Sequence, residues 1–439
     1  MIGKKSKLKG TELFFLALIF YLPFQIALNL ATGFDVLTGR VFIPILFLIW
    51  WLKLESAQKF SWLENETALA LALFFLINLF SVSWAPNQFW AGRKLLVFAS
   101  VFPLFILTKE IIVSRALAKK TLKVMALGAV ISALIGLAQF LSQGVLNQEQ
   151  IISFWSQNVL PWFSGQTFGN LVAQNPSWLV EIQGKSFLRA FGLFPDPHML
   201  AFFLGLTFPF VLAAVFLGQK FKAGLFAILC LMTAVLALTF SRGGYLGFFV
   251  AFLFLIFFVW PGISRAGKGF LKNGALVLLV LFFLAGGLIS ARFFSSFNLN
   301  EGSNQGRLAI WRESFNVFLK NPILGVGLGN YPLTTDPYID YRSPVTSHNL
   351  YLDILAETGI FGLAAWLWFI AAAAKAAWRK MKSVQKEDWI VGLGALGALV
   401  YFSVHSFFET AIFNPTVLAF LMIVGGLAAS SIQLNPERR

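Results

Sequence analysis

The sequence predicts an all-α, polytopic integral membrane protein, and three observations carry that reading. Of 439 residues, 58% are hydrophobic and 12% charged, where a soluble domain carries about 25% charged residues. The mean hydropathy of +0.76 over this length is more apolar surface than one buried core can hold. The net charge of +15 is spread unevenly between the two ends of the apolar segments. Together these exclude a soluble enzyme, a disordered chain and a secreted disulfide scaffold. The single cysteine, Cys230, lies in an apolar run and offers neither a disulfide nor a thiolate metal site.

About 20 apolar residues span a bilayer. Twelve segments approach that length: 13–30, 39–54, 67–84, 94–113, 121–142, 199–217, 222–240, 244–260, 273–290, 353–375, 389–410 and 414–433. Lys4, Lys5, Lys7 and Lys9 lead into the first of them with no small-residue cleavage site, so a retained N-terminal span is expected. With the N-terminus cytoplasmic, alternation places 23 of the 34 Lys and Arg residues inside and 11 outside. That distribution obeys the positive-inside rule and puts both termini in the cytoplasm. The excess of positive charge is then a topology signal and calls for no nucleic acid. The chain reads as one transmembrane domain over 1–439.

Two connections are too long to be simple loops, 143–198 and 291–352, and both fall outside. The first holds apolar pieces too short to cross (Ile151–Phe154, Leu160–Phe163, Leu179–Val180), expected to be interfacial or re-entrant. The second holds an amphipathic helix from about Gly306 to Lys320, with Leu308, Trp311, Phe315 and Phe318 on one face. Asn321-Pro322 ends it, and Gly325, Gly327 and Gly329 read as a tight turn.

The outer face is chemically distinct. Five of the 23 inner basic residues are Arg, against eight of the 11 outer ones. Arginine grips phosphate oxygens in pairs where lysine is a hydrated point charge. Arg40, Arg93 and Arg292 suit lipid headgroups or acidic partners, which leaves Arg189, Arg242, Arg307, Arg312 and Arg342 as candidates for a phosphorylated ligand. His198, His348 and His405 also fall on this side, and His405 is spaced to bond Glu409. Spans opening near 199, 244 and 353 point their N-termini outward, where free N–H groups attract phosphate. The positive end of such a helix is expected to depress the pKa of a nearby histidine and keep it neutral. After His348, Asn349, Asp353 and Glu357 recur every four residues as one polar stripe down a span. Gly359 and Gly362 follow, a spacing that lets a neighbouring helix pack closely. Trp84, Trp90, Trp155, Trp162, Trp178 and Trp311 suit an interfacial aromatic belt, with sugar stacking as the alternative. No Asp-x-Asp pair or metal-ligand spacing occurs in the outer segments.

From about 189 to 365 the chain resembles the O-antigen ligase/polymerase superfamily of bacterial membrane glycosyltransferases. The resemblance rests on Arg189 before a span, Ser241-Arg242-Gly243-Gly244, Arg307 to Pro322 with Gly325 and Gly327, and His348-Asn349 followed by Gly359 and Gly362. Asp196-Pro197-His198 departs from it, since Asn-Pro-Asn or similar is expected there. The resemblance implies a GT-C-like membrane fold and a metal-independent, inverting transfer needing no cofactor. A glycan moves from undecaprenyl diphosphate to an acceptor hydroxyl at the outer face of the cytoplasmic (inner) membrane. It implies His348 as general base, Arg189 and Arg242 as diphosphate-binding residues, and Asn349, Arg307, Arg312, Asp353 and His198 in support. The acceptor is the lipid A-core in a ligase and another lipid-linked repeat in a polymerase. Protein O-oligosaccharyl transfer is a third possibility. A lipid-linked glycan flippase is the rival from another class, but it predicts ionisable residues along a midplane path rather than at the span ends.

Overall fold

The computed structural model describes residues 2–431 except 32–33, 57–58, 167, 170–175, 183, 217–222, 261–301 and 340–345. The predicted span 273–290, with Arg292 and Arg342, lies outside the described residues. The described part is dominantly helical. Five helices are long and apolar enough to cross a membrane, and five further apolar helices have 10–17 residues.

In chain order, helix α1 (Ile2–Tyr21) is followed by a hairpin of β1 (Ala27–Ala31) and β2 (Phe34–Leu37). Then come α2 (Gly39–Trp51), α3 (Glu66–Ser81), α4 (Gln88–Val101), α5 (Pro103–Ile111) and α6 (Arg115–Leu141). Two short helices, α7 (Gln148–Phe154) and α8 (Leu160–Ser164), precede a second hairpin, β3 (Leu179–Ile182) with β4 (Lys185–Leu188). The bundle resumes with α9 (Pro197–Phe216), α10 (Ala223–Leu238) and α11 (Arg242–Val259). Next are α12 (Gly302–Lys320) and α13 (Tyr331–Thr335), then α14 (Leu350–Met381), α15 (Lys386–His405) and α16 (Pro415–Ala429).

Three features differ from the expectation of unbroken spans in an all-α chain. The first span stops at Tyr21 because Pro23 follows, and residues 27–31 enter a hairpin instead. The segment 94–113 is two helices meeting at Pro103, which lacks the N–H that a continuous helix needs. The short apolar pieces of 143–198 pack on one another: Ile151, Leu160, Trp178, Leu188 and Phe191 form a small core of their own.

Helix starts are set by capping side chains. Asn65 caps α3, Asn87 caps α4, Ser114 caps α6 and Asn414 caps α16, each accepting from main-chain N–H groups in the first turn. The centre of the bundle is α9, α15 and α16, whose residues are buried almost throughout. Small residues permit this: Gly205 of α9 lies against the Tyr401 ring of α15, and Gly394 of α15 against Phe210 of α9. The Tyr401 hydroxyl, in the apolar interior, donates to Ala201 O at 2.7 Å.

One irregularity positions the site. Helix α14 is broken at Gly359, where φ is +64° and ψ −163°. The break frees main-chain groups, and the turn after α12 takes them up: Val326 N donates to Ala356 O at 2.9 Å, Gly327 N to Glu357 O at 2.8 Å, and Ile360 N to Pro322 O at 2.9 Å. Gly325, Gly327 and Gly329 all have positive φ in that turn. Gly359 thus serves a backbone break docked on a loop, not the helix–helix contact its spacing predicts. A Cβ on Gly359 would sit 2.2 Å from Ile323 O. Gly359→Ala is therefore expected to cost about 1–3 kcal/mol in backbone strain, with a similar overpacking term. Thermal unfolding in detergent measures this against Gly92→Ala, where a Cβ meets nothing within 4 Å and no comparable loss is expected.

Candidate active site

Three helix starts and one helix end meet at one end of the bundle. Asp196 caps α9, accepting from His198 N at 2.7 Å and Met199 N at 3.1 Å. Ser241 caps α11 through Gly244 N. Asn349 caps α14, accepting from Tyr351 N and Leu352 N. The end of α15 joins them where Ser406 O accepts from Leu350 N at 2.9 Å. The residues that close these helices are polar because the helix ends require it, and the same requirement gathers the functional groups.

His348 sits just before α14 with φ +48°, a left-handed conformation uncommon outside glycine. The neighbouring main chain holds it there. Ser347 N donates to Asp353 Oδ1 at 2.9 Å, Ser347 Oγ to Asn349 O at 2.7 Å, and Trp311 Nε1 of α12 to Ser347 O at 3.0 Å. Thr410 donates to the other oxygen of Asp353. The stripe expected from sequence is thus fully engaged: Asn349 caps, Asp353 braces the 347–348 turn, and Glu357 accepts from Lys94 Nζ at 3.1 Å. Lys94 also lies 3.8 Å over the Phe413 ring.

His348 Nδ1 is 3.1 Å from each oxygen of Glu409. A carboxylate only accepts, so Nδ1 carries the proton and Nε2 is left as the basic atom. The His348 side chain is 42% exposed and that of Glu409 11%, so the imidazole opens outward while its acid is covered. The Glu409 charge and hydrogen bond raise the His348 pKa above its ordinary value, outweighing burial and Arg307. Burial opposes the Glu409 charge, but His348 and Arg307 hold its carboxyl well below the usual range. Burial and the Glu409 charge push Asp196 up to about 6. The expectation that a helix N-terminus depresses this histidine is corrected here, because the adjacent carboxylate dominates at contact distance. Glu409 bonds His348 rather than His405.

The other predicted residues divide. His198 approaches the same acid, with Nε2 at 4.0 Å from Glu409 Oε2. Arg189 is buried at the junction of β4 and the bundle, its Nε donating to Thr239 O at 2.8 Å and Nη1 to Ser177 O at 2.9 Å. Arg307 acts on His348 and Glu409 through its charge. Arg242 opens α11 directly after Ser241 and is half-buried. Arg312 is exposed and stands apart from the cluster. On α12 the inward residues are Trp311, Ser314 and Phe318, while Leu308 and Phe315 are exposed, so the face predicted from spacing is rotated. Glu409, Ser241 and Thr410 were not singled out by sequence as site residues. Only the nearness of Glu409 to His405 hinted at the acid, and nothing local pairs it with a histidine 61 positions earlier.

A known family and a known protein are similar to parts of this chain. Residues 225–367 match the family described as O-antigen ligase, a stretch that includes Ser241, Arg242, Arg307 and His348. Over 248 residues the chain is 26% identical to the exopolysaccharide production protein ExoQ of Rhizobium meliloti (strain 1021), covering 51% of this chain and 54% of that protein. The chain spans about half the length of the curated relative it matches. Over residues 225–367, where the helical bundle carries the polar cluster at its end, the chain is similar to the O-antigen ligase family.

Proposed function

We propose that this chain transfers a glycan from an undecaprenyl-diphosphate carrier to an acceptor hydroxyl at the outer face of the cytoplasmic membrane, with inversion at the anomeric carbon and without a metal ion. The observation that carries the reading is the His348–Glu409 pair, a half-exposed imidazole backed by a covered carboxylate. His348 Nε2 takes the acceptor proton while Glu409 stabilises the imidazolium that forms. The acceptor oxygen attacks the anomeric carbon opposite the diphosphate. The glycosidic C–O bond breaks, and its electron pair leaves with the lipid diphosphate. Arg242 and Arg307, the buried charge of Arg189 and the first N–H groups of α11 stabilise that leaving group. The imidazolium then returns its proton to water through its exposed side. The family's description as O-antigen ligase favours a ligase reading, for which lipid A-core is the proposed acceptor. The likeness to an exopolysaccharide production protein favours a second reading, in which the acceptor is another lipid-linked repeat unit. Protein O-oligosaccharyl transfer and lipid-linked glycan flipping are the further outcomes to be separated.

The test is reconstitution of purified protein with an undecaprenyl-diphosphate glycan and each acceptor in the presence of a chelator. Glycan transfer is expected, and its product identifies the acceptor. Movement of the lipid across the bilayer without transfer would support a flippase instead. His348→Ala is expected to lower turnover by about 10²–10⁴-fold, the span of a positioned general base, with donor binding kept. Arg242→Lys keeps the charge but loses the paired donors, so donor affinity is expected to fall by roughly tenfold or more, the equivalent of about 1.5–3 kcal/mol. Unchanged donor affinity in that variant would return Arg242 to a structural role.

The pH dependence follows from the direction of the His348 shift. The rate rises as His348 loses its proton, so the acid limb of the wild-type profile is expected above the ordinary histidine value of about 6.5. Glu409→Gln removes the charge that raises His348 and moves the limb to lower pH. It is also expected to reduce the plateau rate by about tenfold, since part of the base's 10²–10⁴-fold contribution is lost. A limb that does not move in Glu409→Gln would disconnect the two residues.

A further inference from the structure

His198 and His405 lie within reach of the Glu409 charge and Ser241 hydrogen-bonds both, yet none of the three has a part in the steps above. Hydrogen-bond valence fixes where each of their protons lies. Arg189 Nη2 is 3.3 Å from His198 Nε2. A guanidinium only donates, so His198 Nε2 offers a lone pair and the ring proton is on Nδ1. His198 Nδ1 is 2.9 Å from Ser241 Oγ and donates to it. Ser241 Oγ also accepts from Gly244 N at 3.2 Å as the cap of α11. Both of its lone pairs are then engaged, and its own hydrogen goes to His405 Nε2 at 3.1 Å. The His405 proton is therefore on Nδ1, which is buried with no hydrogen-bond partner among the described residues. That ring is held flat on Phe202, with centroids 3.7 Å apart and planes 8° from parallel.

We propose that Arg189 sets the direction of a hydrogen-bond chain running Arg189 to His198 to Ser241 to His405, and that His198 and Ser241 are positioning residues that leave the charge of Glu409 to His348. Glu409 Oε2 lies 3.1 Å from His348 Nδ1 and 4.0 Å from His198 Nε2, one negative charge between two imidazoles. A proton on His198 Nε2 would face the Arg189 N–H donor to donor and turn that ring toward Glu409. The chain prevents this by keeping Nε2 an acceptor. The groups facing His198 are Arg189, Glu409, His405 and Arg307; those facing His348 are Glu409, Arg307 and Asp353. The consequence at His348 rests on its proposed role as base, whereas the proton placement does not.

The chain contains three histidines, so protein labelled with ¹⁵N-histidine gives three imidazole spin systems, assigned with His198→Asn and His405→Asn. Nitrogen shifts distinguish a protonated from a bare ring nitrogen. His198 and His405 are expected to remain uncharged Nδ1–H tautomers between about pH 5 and 8, while His348 titrates. In Arg189→Met the His198 ring is expected to lose its single tautomer and the His348 midpoint to fall, and in Ser241→Ala the His405 ring, whose Nε2 loses its donor, is expected to lose its own. Ser241→Thr, which retains the hydroxyl, should restore the His405 tautomer. An Nε2–H tautomer at His198, or a charged His198 at neutral pH, in the wild-type protein would overturn the proposal even if the variants fail to fold. A protein with these tautomers that transfers no glycan would leave the chain intact and reject the proposed function.

Discussion

A carboxylate at the end of an apolar bundle needs partners, and Glu409 obtains them from three segments. His348 precedes α14, Arg307 belongs to α12, and the Thr410 main chain donates to the acid from beside it. Removing His348 leaves the covered charge of Glu409 without its main partner, at a cost that solvent around the 42% exposed imidazole keeps below that of a fully buried pair. The ends of the helices are thereby held to one another by the same contact that tunes the imidazole. Fold and chemistry are coupled here, since the caps Asp196, Ser241 and Asn349 close helices and bound the site at once.

The coupling has a definite pH window. The folded pKa of His348 is raised, so its contribution to stability is full below the ordinary histidine value and fades as pH rises through the raised one. That of Glu409 is lowered, so its contribution is full above the ordinary carboxylate value and fades as pH falls. Together they hold this end of the bundle most firmly between about pH 4.5 and 6.5. The proposed role of His348 as a neutral base draws on the upper edge of that window, where the pair has begun to loosen and the imidazole accepts protons.

Much of this was legible in the sequence, for physical reasons that differ by residue. Apolar runs mark helices because a bilayer demands about 20 of them in a row, so α6, α9, α11, α14 and α15 stand where composition puts them. His348 and its capping Asn349 are legible because they abut a helix start. What a linear pattern does not carry is partnership across the bundle. Glu409 meets His348, and Lys94 meets Glu357 across 263 positions, only because α14, α15 and α4 end where they do. Gly359 was visible as a glycine, but its positive φ answers to a loop more than thirty residues upstream. Pro23 and Pro103, by contrast, were local signals that a run-length reading passed over.

The central claim is that Glu409 acts through His348, and the most direct measurement is a double-mutant cycle in the reconstituted transfer assay. If the acid serves only the imidazole, adding Glu409→Gln to His348→Ala costs no further turnover beyond the single His348 variant. If the two losses instead multiply as independent effects, Glu409 has a role of its own and the pair is not the working unit of this site.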